Sequence, residues 1–122
     1  MFKCILYLFA FLITTICLAS QPSVLVSSID EAVTLANQID SVALIVFTSD
    51  SCRYCFKLKK DFEHYPSMIE NKVICYIEYD KHRLLAKKYN VKALPHSIIL
   101  DNSHIVKEYI GYEKMKYSEW LK

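Results

Sequence analysis

Glycine is almost missing from this sequence: Gly111 stands alone among 122 residues, and there are only three prolines. That scarcity excludes the glycine-rich loops that cradle phosphates and the flexible low-complexity linkers that join domains. No internal repeat is present. An excess of charge of either sign is also missing, with 15 basic against 13 acidic side chains. Without Lys3, the one charged residue among the first twenty, the balance is 14 against 13. No nucleic-acid signature follows from such a composition. The small basic cluster Lys57, Lys59 and Lys60 lies beside Asp61 and Glu63 and reads as a solvated helix face. Paired metal-ligand spacing is absent among the histidines too. His64, His82, His96 and His104 are scattered, so neither a metal nor a cofactor is expected, and His96 is expected to be exposed.

What is present divides the chain in two. Residues 1–20 begin Met-Phe-Lys, run uncharged from Cys4 to Ala19 and end on small residues, which are the parts of a secretory signal peptide. As a helix, the uncharged stretch would span about 24 Å against a hydrocarbon core of roughly 30 Å. Cleavage near Ala19 or Ser20 is therefore expected, with export to a periplasm, an endomembrane lumen or the exterior. Retention of residues 4–19 as a membrane anchor is the alternative. Residues 21–122 make one domain, long enough for a core of ordinary size. It keeps Cys52, Cys55 and Cys75, an odd number that argues against a framework of structural disulfides.

Hydrophobic periodicity orders the domain. Residues 24–26 suit a first strand, and Ser28 or Asp30 can cap a helix presenting Ala32, Val33, Leu35, Ala36 and Ile39. Residues 42–47 are apolar throughout, as in a strand buried on both faces. The helix after them carries Cys55, Leu58, Phe62 and Tyr65 as its buried stripe and stops at Pro66. Residues 73–79 read as a strand, with Cys75 a small hydrophobe inside it. Asp80 can then cap a short helix through Tyr89, with Leu84, Leu85 and Tyr89 as its apolar contacts. Residues 97–100 and 105–110, joined by Asp101-Asn102-Ser103, form a hairpin, and residues 112–121 close the domain as a helix after Gly111. A mixed sheet with helices on both faces follows.

Between the central strand and its helix lies Cys52-Arg53-Tyr54-Cys55. By spacing alone such a pair is a redox dithiol, two small buried residues or half of a metal site. At the first turn of a helix, free N–H groups and the macrodipole favour a thiolate at Cys52. Arg53 adds positive charge close by.

Taken together, four features resemble the thioredoxin family over residues 24–121. They are the apolar strand before the pair, the helix after it, Leu94-Pro95 lying beyond them, and the hairpin ending in Gly111. The resemblance implies a thioredoxin-like three-layer α/β fold and thiol–disulfide exchange on cysteine-containing proteins, with Cys52 as nucleophile and Cys55 as resolving thiol. It also implies a cis Leu94–Pro95 bond, which only an X-Pro bond adopts at modest cost, and a site shaped by Leu94, Pro95, Arg53 and Tyr54. A monomer served by a separate redox partner is expected, with a redox-inactive binding or chaperone-like module as the alternative function. The chain departs from thioredoxins proper at Ser51, where they carry tryptophan, at Val46, where they carry a buried acid, and at Arg53-Tyr54 in place of Gly-Pro. Glu78 or water would have to substitute for that acid. A redox poise between roughly −270 mV and roughly −120 mV, the family's reductive and oxidative ends, is expected.

Overall fold

A computed structural model describes residues 22–122. The signal-peptide reading of residues 1–20 lies outside the described residues. The elements are β1 (Val24–Val26), α1 (Ile29–Gln38), β2 (Val42–Thr48), α2 (Arg53–His64), a 3-10 turn (Pro66–Ile69), β3 (Lys72–Glu78), α3 (Arg83–Lys88), β4 (His96–Asp101), β5 (His104–Ile110) and α4 (Lys114–Leu121). The sheet order is β1-β3-β2-β4-β5. β1, β3 and β2 run parallel, whereas β4 is antiparallel to both β2 and β5.

β2 lies at the centre because its residues from Ala43 to Thr48 are all buried, leaving no polar face to turn towards water. Alternation along it supplies two cores. Ala43, Ile45 and Phe47 join Ala32 and Ala36 of α1, Ala86 of α3, and Ile98 and Leu100 of β4. Leu44 and Val46 face the other way, towards Leu58 and Phe62 of α2 and Tyr117 and Leu121 of α4. Helices thus cover both faces of a mixed sheet, as the periodicity predicts.

With a single glycine in the chain, left-handed backbone falls to other residues. Asp40, Asn71 and Asn90 follow helices or turns at φ 53°, 59° and 55°. Their short polar side chains make them the residues that tolerate this region best after glycine. Asn102 and Ser103, at φ 48° and 70°, form the two-residue turn of the β4–β5 hairpin. The Ser41 hydroxyl donates to the Asn71 carbonyl and ties two of these turns together.

Several sequence expectations need correction. Ile39 is the exposed C-cap of α1, past the last turn that faces the core. Tyr65 also lies outside its helix as a C-cap, because Pro66 turns the chain into a 3-10 segment that periodicity does not reveal. Leu84 points to solvent, and Ala86 takes the buried position of α3. Asp80 does not cap α3; His82 occupies that position without a side-chain cap, and Asp80 instead accepts from Ser49 and Arg83.

Candidate redox site

β2 delivers the chain to the carboxyl edge of the sheet at Thr48, and four residues, Ser49 to Cys52, lead to α2. That loop is held by side chains rather than glycine. Ser49 Oγ accepts from the Ser51 backbone N–H at 3.4 Å and donates to Asp80 Oδ2 at 3.3 Å. The Ser49 carbonyl accepts from the Cys52 N–H at 3.1 Å. The Thr48 carbonyl accepts from the Tyr79 N–H at 2.8 Å, which pins the loop to the end of β3.

Cys52 is therefore the N-cap of α2, and its Sγ accepts from the Cys55 N–H at 3.1 Å. A sulfur in this position receives one of the helix's unpaired donors and the positive end of its dipole, both of which stabilise a thiolate when the pair is reduced. Cys52 and Cys55 are joined by a disulfide, with Cα atoms 5.2 Å apart. Their exposures differ: Cys52 is half-buried, whereas Cys55, on the inner stripe with Leu58 and Phe62, is buried. Arg53 and Tyr54 between them are exposed.

The cis Leu94–Pro95 bond stands at the same edge. Phe47 pairs with His96, so the register carries Pro95 to the level of Thr48, four residues before Cys52. Pro95 is buried, and its carbonyl accepts from the Gly111 N–H at 2.8 Å. Gly111 at φ +86° ends β5 in a conformation that L side chains rarely adopt. Leu94 packs half-buried against the α1 and α3 core. All six residues expected to form the site thus lie at one edge of the sheet.

Two positions beside the site are informative. Val46 is fully buried and pairs in register with Tyr76, whose phenol is pushed up to about 12 by burial and by Glu63. No group that ionises near neutral pH stands at this pair. Glu78, half-buried, pairs with Thr48 on the same α2-facing side, at the next inward-facing position along β3.

The second position is His96. It is 1% exposed, contrary to expectation, because it enters β4 facing Phe47, with ring centroids 6.4 Å apart. Neither ring nitrogen has a hydrogen-bond partner, and Glu108 Oε2 lies 3.7 Å from Nε2. The residue after a proline at a strand start gives no sign in sequence of how completely it will be covered. Cys75 is buried in β3, and desolvation, with a smaller effect from Glu31, pushes its thiol up to about 11. It stays a neutral thiol at physiological pH. Among the described residues no cluster of histidines, cysteines and acids could hold a metal.

A family model for a thioredoxin-like domain matches residues 29–122. This chain belongs to the thioredoxin-like family. Among solved structures it is similar to a thioredoxin of Schistosoma mansoni, with a TM-score of 0.64 at 19% identity over 83% of this chain and 96% of that one. It is also similar to one from Thermus thermophilus, with a TM-score of 0.67 at 19% identity over 84% and 85%. A third similar structure is an N21Q mutant thioredoxin of Halobacterium salinarum, with a TM-score of 0.65 at 20% identity over 84% and 92%. At these identities the likeness shows the fold. No curated protein matches the chain significantly. The thioredoxin-like fold and the bonded Cys52–Cys55 pair together support thiol–disulfide oxidoreductase chemistry in general.

Proposed function

We propose that this protein is a thiol–disulfide oxidoreductase that acts on cysteine-containing proteins through Cys52 and Cys55. The observation that carries the reading is the asymmetry of the pair: a half-buried cysteine at a helix N-terminus bonded to a buried one a turn later. In the reducing direction the Cys52 thiolate attacks one sulfur of a substrate disulfide. An S–S bond forms between protein and substrate, and the first substrate thiolate leaves. Cys55, as thiolate, then attacks Cys52 Sγ, releasing the second substrate thiolate and closing the intramolecular disulfide. Two electrons pass from the pair to the substrate, and the departing thiolates take protons from solvent. A second dithiol protein must reduce the pair again, and the same steps in reverse oxidise a substrate dithiol.

Leu94 and Pro95 shape the edge on which the substrate backbone rests, and Arg53 and Tyr54 line the approach to Cys52. Because Val46 and Tyr76 supply no base near neutral pH, deprotonation of Cys55 falls to water or to Glu78. The protein works as a monomer in an exported compartment, residues 1–20 serving as the export signal. No helix among the described residues is long and apolar enough to cross a membrane.

The test is a trap. With Cys55→Ser, the attacking sulfur should remain bonded to its substrates, and mixed disulfides should be recovered under non-reducing conditions. With Cys52→Ser none should form. Failure of both variants to trap partners, together with no disulfide reduction or oxidative refolding by the unmutated protein, would leave the redox-inactive binding module as the better reading.

A further inference from the structure

We propose that the outer face of α2 is a docking groove for acidic segments of the substrate polypeptide, lying beside its reacting cysteine and carrying an apolar residue among the acids. This specificity rests on the oxidoreductase reading above. Arg53, Tyr54, Phe56, Lys57 and Lys60 line a shallow groove of about 460 Å³ that opens to solvent. It begins at the residue next to Cys52, within reach of a segment that flanks a cysteine reacting there.

The composition of the groove determines what fits. Arg53, Lys57 and Lys60 fall at steps of four and three and share one stripe opposite the buried Cys55, Leu58 and Phe62. None of the three takes part in an ion pair among the described residues. The acids of the same helix are turned to other tasks. Asp61 accepts from the Tyr112 hydroxyl at 2.6 Å, and Glu63 acts on the Tyr76 side, where Lys59 also lies over the ring at 4.9 Å. The basic cluster of the sequence is therefore split, with Lys59 held on one flank while Lys57 and Lys60 face the groove.

The first turn of α2 carries no acid, although that is where a carboxylate is normally favoured, and it carries Arg53 instead. With no acid beside it on that turn, the Arg53 charge is open to an anion supplied from outside. Two aromatic side chains share the same surface, with Phe56 69% and Tyr54 57% exposed. Three unpaired cations interleaved with two exposed rings are complementary to carboxylates interleaved with an apolar side chain.

Two measurements test this, and the first does not depend on redox turnover. The Cys52→Ser, Cys55→Ser protein is titrated with fluorescent peptides in which serine replaces the central cysteine, flanked either by Glu-Leu-Asp or by Lys-Leu-Lys. The acidic peptide should bind about tenfold more tightly at low salt, the preference should collapse in half-molar salt, and Lys57→Glu with Lys60→Glu should reverse it. Equal binding of the two peptides, or stronger association of the same protein with phosphatidylserine vesicles than with the acidic peptide, would overturn the proposal. In the second measurement the reduced unmutated protein acts on the corresponding peptide disulfides. Faster reduction of the acidic one supports docking, and equal rates refute docking while leaving the redox reading intact. Where neither peptide is reduced, the trapping test judges the redox reading and the binding titration decides whether the groove selects acidic segments.

Discussion

His96 shows how a single residue sets a local cost. An imidazole that is 1% exposed with neither nitrogen hydrogen-bonded has lost its water without replacing it. Such a group costs about 1–3 kcal/mol. His96→Leu keeps the apolar contact with Phe47 and removes both nitrogens. Its midpoint in urea should correspond to a gain of about 1 kcal/mol. A loss of comparable size would mean that the approach of Glu108 at 3.7 Å is a stabilising pair rather than a near miss. This residue also marks a limit of the sequence. Cys52 and Cys55 could be singled out by their spacing along the chain, and Pro95 by the family resemblance. The burial of His96 depends on Phe47 and Glu108, which reach it only through strand pairing.

At the scale of elements, α4 is fastened to the sheet by aromatic and polar contacts together. Tyr117 is fully buried, stands edge-on to Tyr109 and Tyr112, and donates its hydroxyl to Ser97 Oγ at 2.7 Å. Tyr117→Phe keeps the ring and strands the serine hydroxyl, so it should cost about 1–3 kcal/mol in denaturant unfolding. Adding Ser97→Ala should recover part of that loss, because removing both partners is cheaper than removing one. If the double variant were less stable than Tyr117→Phe alone, the hydrogen bond would not be what joins α4 to β4. Element order and type were readable from hydrophobic periodicity, and the Asn102-Ser103 turn from its polar residues. The 3-10 turn at Pro66–Ile69 and the start of α3 were not. A single turn has too little periodicity to read, and Asp80, a plausible cap by residue type, is drawn instead to Ser49 and Arg83.

For the whole molecule, the thiol and phenols of the core push in one direction. Burial raises the Cys75 thiol from its ordinary 9.0 to about 11 and Tyr76 from 10.0 to about 12, and it raises the phenols of Tyr112 and Tyr117 as well. Above pH 9 the unfolded chain releases thiol and phenol protons that the folded chain retains, so these four groups lower stability as pH rises, against one opposing group, Lys72, whose ammonium is lowered by desolvation. Cys75 acts between pH 9 and about 11, with a slope of up to about 1.4 kcal/mol per pH unit, and Tyr76 acts between 10 and about 12. Urea unfolding at pH 8, 9, 10 and 11 should show a progressive loss in the reduced protein, smaller in Cys75→Ala; a flat profile would contradict it. The functional claim has a more direct test. The Cys52–Cys55 pair is equilibrated with defined ratios of reduced to oxidised glutathione or dithiothreitol, quenched with acid, alkylated and resolved by mass. It should titrate as one two-electron couple with a midpoint between roughly −270 mV and roughly −120 mV, while Cys75 stays a thiol throughout. A pair that stays oxidised to below roughly −300 mV, the range of structural disulfides, would contradict the account.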